Sequence, residues 1–240
     1  MDFFSRNSSA AIIGLSLIVA VVCGGVFYLS GRTNNNDTLT VTGSARTPVT
    51  ADRVIWRTSF SRNVEAGNLK TGYADMARDL VNVKKFLATE NIAETEITIT
   101  PITVNEDWQQ NQNNPKRYTL RQNVEIASSN IAGITESAKR IDQVVATGVF
   151  FQSDAVDYYY TKLDEARISL LTDAISDAKA RATAMAKSSN QTVGKLSTAS
   201  SGVVQVLSRG SVDVSDYGSY DTSKIEKDIM VTVRATFRVK

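Results

Sequence analysis

Residues that commonly carry chemistry are sparse in this chain of 240 residues. It contains no histidine and a single cysteine, Cys23, which lies in an apolar run. Without histidine the usual serine or cysteine triad is excluded, because its general base is missing. The sequence also holds no phosphate-binding glycine loop and no Cys/His metal cluster. We therefore expect no catalytic residue, no cofactor site and no intrinsic hydrolase or transferase activity.

Carboxylates provide the remaining chance of a metal site. Asp173 and Asp177 lie one helical turn apart in a predicted helix. Carboxylate oxygens are ligands for hard cations, but such sites normally need a loop that supplies further oxygens. Lys179 and Arg181 also neutralise the region. The sequence therefore predicts no metal site.

Two further groups of side chains suit binding rather than catalysis. The three consecutive tyrosines at 158–160 cannot form one platform, because neighbouring residues of a strand point to opposite faces. We predict that they pack in the core and at its rim. The last strand presents a basic face with Arg234, Arg238 and Lys240, which suits either lipid headgroups or solvent. A net charge of +2 gives no reason to expect a nucleic-acid partner.

A long helix is predicted from Leu163 to about Asn190, and the rest of the chain is organised around it. Its apolar residues recur at steps of three and four, and it lacks proline and glycine. Its second half is rich in alanine, so another backbone can approach closely. This face is expected to press on a sheet or on a second copy of the chain. The candidate oligomer contact comprises Ala174, Ala178, Ala182 and Met185.

The N-terminal sequence predicts a membrane anchor. Residues 10–29 are uncharged and long enough to cross a bilayer core of about 30 Å as a helix. A cleaved signal peptide is the alternative, but its apolar region is usually shorter and ends in small residues. We predict a tail at 1–9, an uncleaved transmembrane signal anchor at 10–30, a polar linker at 31–38 and one domain at 39–240. Charge alone does not set the orientation of the anchor.

Periodicity along residues 39–240 predicts an α+β domain with helices packed on a mainly antiparallel sheet, in the order β-β-α-β-β-α-β-α-β-β. Pro101 is expected to interrupt the strand at 92–104, and Gln122 is expected to face the same side as apolar neighbours. Trp108, in the polar tip at 107–115, is predicted either to be exposed or to fold back. A mobile loop is predicted at 209–223, followed by a terminal strand at 225–240 that exposes unpaired backbone groups if it lies at a sheet edge.

The stretch DAISDAKARATAMAKSSNQTVGKLSTAS resembles the C-terminal signature of the SIMPL-domain (DUF541) family of bacterial periplasmic and outer-membrane-associated proteins. Weaker parts of the family pattern occur in order from about Leu39 to Lys240, including TVTGSARTPVTADRVIWRTSF near the start of the domain. The residues that match the helical signature are Ala174, Asp177, Ala178, Lys179, Arg181, Ala182, Met185 and Ala186, followed by Val193, Gly194, Lys195 and Leu196.

This resemblance implies a function as well as a fold. Characterised SIMPL members form large homo-oligomers and are linked to cell-envelope stress. Together with the predicted anchor, the resemblance implies a single-pass protein of the inner membrane, with its domain in the periplasm or outside, that assembles with itself into a ring or cage. The alternative is a periplasmic ligand-binding or enzymatic domain whose pocket and small-molecule ligand the sequence does not reveal.

Overall fold

A computed structural model describes residues 21, 37–108, 115–211, 215 and 217–240 of the chain. The predicted tail and anchor at 1–30 lie outside these residues apart from Val21, which is helical. Within the described residues, no helix combines the length and apolarity needed to cross a membrane. The continuously described part of the chain begins at Asp37, near the end of the predicted linker at 31–38.

The fold belongs to the α+β class, with mostly antiparallel sheet, as the periodicity predicts. The strands are β1 (Thr38–Thr50), β2 (Arg53–Glu65), β3 (Ile97–Ile99), β4 (Thr103–Glu106), β5 (Arg117–Ser128), β6 (Phe150–Tyr159), β7 (Val193–Ser208) and β8 (Glu226–Val239). The helices are α1 (Leu69–Thr89), α2 (Ile131–Ser137), α3 (Asp142–Val145) and α4 (Leu163–Ser188).

Two predicted elements are each divided into two. The strand at 92–104 becomes β3 and β4 on either side of Pro101, and both pair antiparallel with β5. Proline has no amide hydrogen to donate to a ladder, so the break is expected there. The second helix of the predicted order, which the apolar spacing from Ile131 to Val145 indicates, becomes α2 and α3. At this break Ser137 donates a 2.8 Å hydrogen bond to Glu90, a tertiary contact that local sequence does not reveal.

Backbone contacts divide the chain into two compact units. The terminal unit comprises Met1–Gly43, Asp177–Ser200 and Arg234–Lys240, and the central unit comprises Ser44–Ser176 and Ser201–Val233. The strands β1, β8 and β7 form a three-stranded sheet in that order, and β3, β5, β2 and β6 follow one another in a five-stranded sheet in which β4 also pairs with β5. Residues of β1, β7, β8 and α4 occur in both units.

The core of the central unit lies on one face of its five-stranded sheet. Trp56 on β2 lies opposite Ile126 on β5 and Val156 on β6. Gln122 is buried among apolar neighbours, as predicted, and its amide donates a 2.8 Å hydrogen bond to the Thr100 carbonyl. Apolar side chains of α1 complete this core, including Met76, Val83, Phe86 and Leu87.

A second, smaller core in the central unit surrounds the first half of α4. It contains Leu170 of α4, Val206 of β7, and Ile229 and Val231 of β8. Trp108, at the far end of β4, is 85% exposed. Of the two placements left open by the sequence, the exposed one is therefore found.

The terminal unit contains the second half of α4 and the adjoining ends of β1, β7 and β8. The Val239 amide donates a 2.9 Å hydrogen bond to the Asp37 carbonyl, and the Lys240 amide donates a 3.0 Å bond to the Thr192 carbonyl. These bonds place the end of β8 beside the first described residue of the domain. The buried residues of this unit include Val41, Ala178, Ala182, Ala235 and Phe237.

Candidate functional site

The four residues predicted to form a contact between copies differ in their exposure. Ala174, Ala178 and Ala182 are completely buried within the single chain, whereas Met185 is 51% exposed. The three alanines are therefore out of reach of a second chain in this conformation. Of the four residues, Met185 is therefore the one that a second copy can reach in this conformation, and the contact between copies stays a prediction.

The physical reason is the spacing along α4. Leu170, Ala174, Ala178, Ala182 and Ala186 follow one another at steps of four and are all buried. This stripe faces the interior of the chain, which was one of the two alternatives left open by the sequence. On the exposed side, Asp177 and Arg181 form the predicted acid-first pair, with 2.8 Å between Oδ2 and Nε.

The strand β7 contains the longest run of exposed residues in the described part of the chain. Its nine residues from 195 to 203 are all exposed, so neither face of the strand is covered there. It lies at one end of the three-stranded sheet, whereas β8 lies in the middle. The terminal strand therefore has a neighbour on both sides, and the edges of this sheet are β1 and β7.

The sequence of β7 leaves this edge accessible. It contains no proline, and its exposed stretch carries one charge, Lys195. Two apolar side chains, Leu196 and Val203, are 43% and 41% exposed at either end of the stretch. Protein edges are usually protected by prolines, charges or a covering element, so an edge that lacks most of these features is suited to pairing.

A buried lysine lies elsewhere in the central unit. Lys227 of β8 has 0% exposure, its Nζ donates to the Asp221 carbonyl, and the same atom lies 5.9 Å from the centroid of the Tyr220 ring. Burial lowers the pKa of Lys227, although the charges of Asp221 and Asp157 oppose the shift. The sequence analysis did not identify this residue, but its position two residues before Ile229 places it on the apolar face of β8.

Hydrogen bonds near Lys227 hold a segment of the loop before β8 against β6. The Thr222 hydroxyl donates a 2.7 Å hydrogen bond to Asp157, and the Tyr158 amide donates a 2.8 Å bond to the Thr222 carbonyl. A neutral amine is a nucleophile towards carbonyl groups. However, an amine without exposure that already donates to a carbonyl has no room for a substrate, so its role here is structural.

The three tyrosines have separate environments, as predicted. Tyr158 is buried and its hydroxyl lies 3.0 Å from that of Thr135. The ring of Tyr159 lies 5.8 Å from that of Tyr220, whereas Tyr160 packs against the smaller core. No shared aromatic platform results from these positions.

An open cavity of about 480 Å³ lies beside Arg62 in the central unit. Its lining comprises Ser61, Arg62, Asn63, Thr119, Gly148 and Phe150. Arg62 donates two hydrogen bonds, of 2.6 and 2.7 Å, to the nearly buried Asp79 carboxylate. The hydrogen bond to Asp79 raises the pKa of Arg62, and the same pairing satisfies most of its charge. The cation that lines this cavity is therefore already engaged.

The described residues contain no group of three acidic, cysteine or histidine side chains placed to hold a metal ion. Asp173 and Asp177 therefore lack a third ligand within this part of the chain. On the outer face of the five-stranded sheet, Arg57 contacts Glu125 at 3.2 Å and Arg121 contacts Asp154 at 3.0 Å. These pairs satisfy one another and leave an ordinary solvated sheet face.

The sequence matches a protein family over most of its length. A search of curated proteins finds no match to the chain. The sequence pattern of the SIMPL family, described as "Protein of unknown function (DUF541)", matches residues 39–237. This range begins one residue after the start of β1 and ends within β8, so it spans both sheets and the helices α1 to α4. The chain therefore belongs to the SIMPL (DUF541) family.

Proposed function

We propose that this chain is a membrane-anchored, non-enzymatic protein of the cell envelope that assembles with itself, through its SIMPL domain, into a ring or cage. In this proposal residues 10–30 hold it in the inner membrane, with the domain in the periplasm, and the family's link to envelope stress extends to it. The observation that carries the proposal is the exposed edge of β7.

A strand gains stability from its ladder and from packing of its faces. Residues 195–203 of β7 are all exposed, so neither face is covered by another described residue of the chain. Pairing with another copy would satisfy the backbone groups at the free edge and cover Leu196 and Val203. An exposed strand of this length is thus better explained as one half of a contact than as a finished surface.

Anchoring supports the same conclusion. Chains held in one membrane have a raised effective concentration, so weak contacts are enough to associate them. A contact between β7 and a different surface of the neighbour is heterologous, and such contacts close into rings when the rotation between copies allows it. No catalytic step is needed for this role.

The test replaces Leu196 and Val203 by lysine in the full chain. Both side chains are exposed, so the substitutions leave the folded monomer intact, while charges at the edge oppose pairing. The matched control replaces Thr183 and Ala184, which are exposed on α4, by lysine. Mass photometry is expected to find large particles for the wild type and the control, and single chains for the β7 variant. Equal particle sizes for all three proteins would exclude β7 as the contact.

A second candidate is a periplasmic ligand-binding domain, favoured by the cavity beside Arg62. Its volume of about 480 Å³ lies within the range of small-molecule pockets. This candidate predicts a compact monomer whose melting temperature rises when a ligand is added. Self-assembly predicts a large symmetric particle without any ligand.

A further inference from the structure

The terminal unit carries a marked excess of positive charge. Its described residues include two acids, Asp37 and Asp177, whereas the net charge of the whole chain is only +2. The seven basic residues of the same stretches are Lys179, Arg181, Lys187, Lys195, Arg234, Arg238 and Lys240. The positive charge is thus concentrated in this unit rather than spread over the molecule.

Most of this charge is not neutralised within the unit. Asp177 is paired with Arg181. Six basic residues are exposed and form no salt bridge with any other described residue. They are Lys179, Lys187, Lys195, Arg234, Arg238 and Lys240. An anionic partner would meet these side chains without first breaking an existing ion pair.

Three of the six share one face of β8, which we call the basic face. Arg234, Arg238 and Lys240 alternate with the buried residues Ala235 and Phe237. The hydroxyls of Thr40 and Thr236 lie 2.9 Å apart, which places Thr40 of β1 on the same side. At about 3.3 Å per residue, Arg234 and Arg238 stand roughly 13 Å apart. Such spacing suits a surface of several anions rather than one bound ion.

The position of the basic face indicates which anionic surface it meets. The 2.9 Å hydrogen bond from Val239 to Asp37 places the end of β8 at the point where the chain enters the domain. Seven peptide steps separate Asp37 from Ser30, the end of the predicted anchor, and they span at most about 25 Å. The basic face is therefore tethered within a short distance of any membrane that holds the anchor.

We propose that the basic face docks on anionic phospholipid headgroups of that membrane. Arginine and lysine near an anionic leaflet are attracted to it, and the attraction falls off within a Debye length. Arginine also donates in a fork that matches phosphate oxygens. This inference rests on the proposed function for its anchor, but it adds a second contact between domain and membrane.

The test uses the full chain in vesicles of phosphatidylcholine, with or without phosphatidylglycerol. A fluorophore is attached through Thr42→Cys in a Cys23→Ser background, and a nitroxide on the lipid headgroup quenches it at close range. We expect at least twofold more quenching in anionic than in neutral vesicles at low salt. The excess should disappear in about 0.5 M salt, where the Debye length is only a few ångströms.

Two variants with equal loss of charge supply the comparison. Replacing Arg234, Arg238 and Lys240 by glutamine removes the basic face and should abolish the excess quenching. Lys70, Lys84 and Lys85 are exposed on α1 in the central unit. Replacing these three by glutamine should leave the excess quenching unchanged. Equal quenching in both kinds of vesicle, or equal loss in both variants, would overturn the proposal. So would binding of a labelled oligonucleotide without lipid-dependent quenching.

Flotation of the same vesicles separates this proposal from the anchor. Flotation with both vesicle types and no lipid-dependent quenching would leave the anchor standing and remove the docking. Flotation with anionic vesicles alone, reversed by salt, would support the docking and contradict the anchor. A chain that floats with neither vesicle type contradicts both.

Discussion

At the scale of single residues, Lys227 has the least usual environment in the described chain. Burial of an ammonium group is costly, and a lysine responds by lowering its pKa or by finding partners. Lys227 does both, since burial lowers its pKa while its Nζ donates to the Asp221 carbonyl. The folded state therefore holds its proton less tightly than the unfolded state does.

This difference makes stability depend on pH in a defined direction. Where the unfolded chain binds more protons than the folded one, stability rises with pH. Lys227→Met should remove the dependence, so the wild type should gain stability relative to the variant as pH rises through the lowered pKa. The gain in stability should end near pH 10.5, the ordinary pKa of a lysine. Urea unfolding of both proteins from pH 7 to 10.5 measures their difference in stability. The exposed Lys224→Met is the control. A constant difference between wild type and variant would contradict the account.

The two substitutions that break the pair of Arg62 and Asp79 are expected to lower the stability of the protein by different amounts. The Asp79 side chain is 4% exposed, whereas that of Arg62 is 36% exposed. Arg62→Met leaves a buried carboxylate unpaired and should cost about 3 kcal/mol, because uncompensated buried charge is strongly destabilising. Asp79→Asn leaves a cation that water can reach and should cost less.

Urea unfolding at pH 7 checks this order. Arg78→Met is the control, since its partner Asp75 forms an exposed pair on the same helix and the change should cost less than about 0.5 kcal/mol. A larger loss of stability for Asp79→Asn than for Arg62→Met would contradict this account. It would mean that leaving the arginine unpaired is more costly than leaving the carboxylate unpaired.

Sequence reasoning at this scale succeeded where a pattern was local. The pairing of Asp177 with Arg181 follows from their spacing of four on a helix. The burial of Gln122 follows from alternation along β5, but its partner, the Thr100 carbonyl, depends on a turn after β3. Lys227 was not recognised, because a lysine on an apolar face is ordinarily taken for an exposed residue.

At the scale of elements, α4 was placed correctly but its partner was not determined. Helical periodicity predicts the residues that are buried, yet it does not distinguish burial against the chain itself from burial against a copy. Ala178 and Ala182 are buried within the single chain. Replacing both by glutamate should therefore unfold the protein, by more than about 4 kcal/mol, rather than separate intact subunits.

Circular dichroism and size measurement together test this expectation. Ile168→Glu combined with Met185→Glu is the control, because both side chains are exposed on the same helix. The control should keep its helical signal. Folded monomers of the Ala178 and Ala182 variant would restore the original prediction, in which these alanines contact a second copy.

The order of strands is a further property that local patterns do not contain. The alternation of Ile229, Val231 and Val233 identifies β8 as a strand with one buried face. The strand next to it depends on long-range pairing, and β8 proves to be central while β7 is at the edge. The sequence analysis considered a free edge for β8 only on the condition that this strand lies at an edge, and the structure places β1 and β7 at the edges instead.

At the scale of the whole molecule, the class and family follow from the sequence, whereas the division into two units does not. Matches to the family pattern run along the chain in order, so residues 39–237 were recognisable. The terminal unit gathers three separate stretches, and its excess of basic residues becomes visible only when they are brought together. Charge counted along the sequence conceals it.

The anchor at 10–30 also belongs to this scale. Its uncharged length and poor cleavage site predict that it stays attached. The intact mass of the protein from membrane fractions should then be 26.1 kDa, and N-terminal sequencing should begin at or near Met1. An N-terminus near Gly31 or Thr33 would show that the segment is removed.

Self-assembly through β7 is the central claim, and native mass spectrometry of the wild-type full chain tests it most directly. The method removes detergent and reads the number of subunits from the mass. We predict one dominant particle at a large multiple of 26.1 kDa, which persists on dilution, since an edge that pairs with a neighbour closes a defined ring or cage. A single species at 26.1 kDa at every concentration would contradict the account.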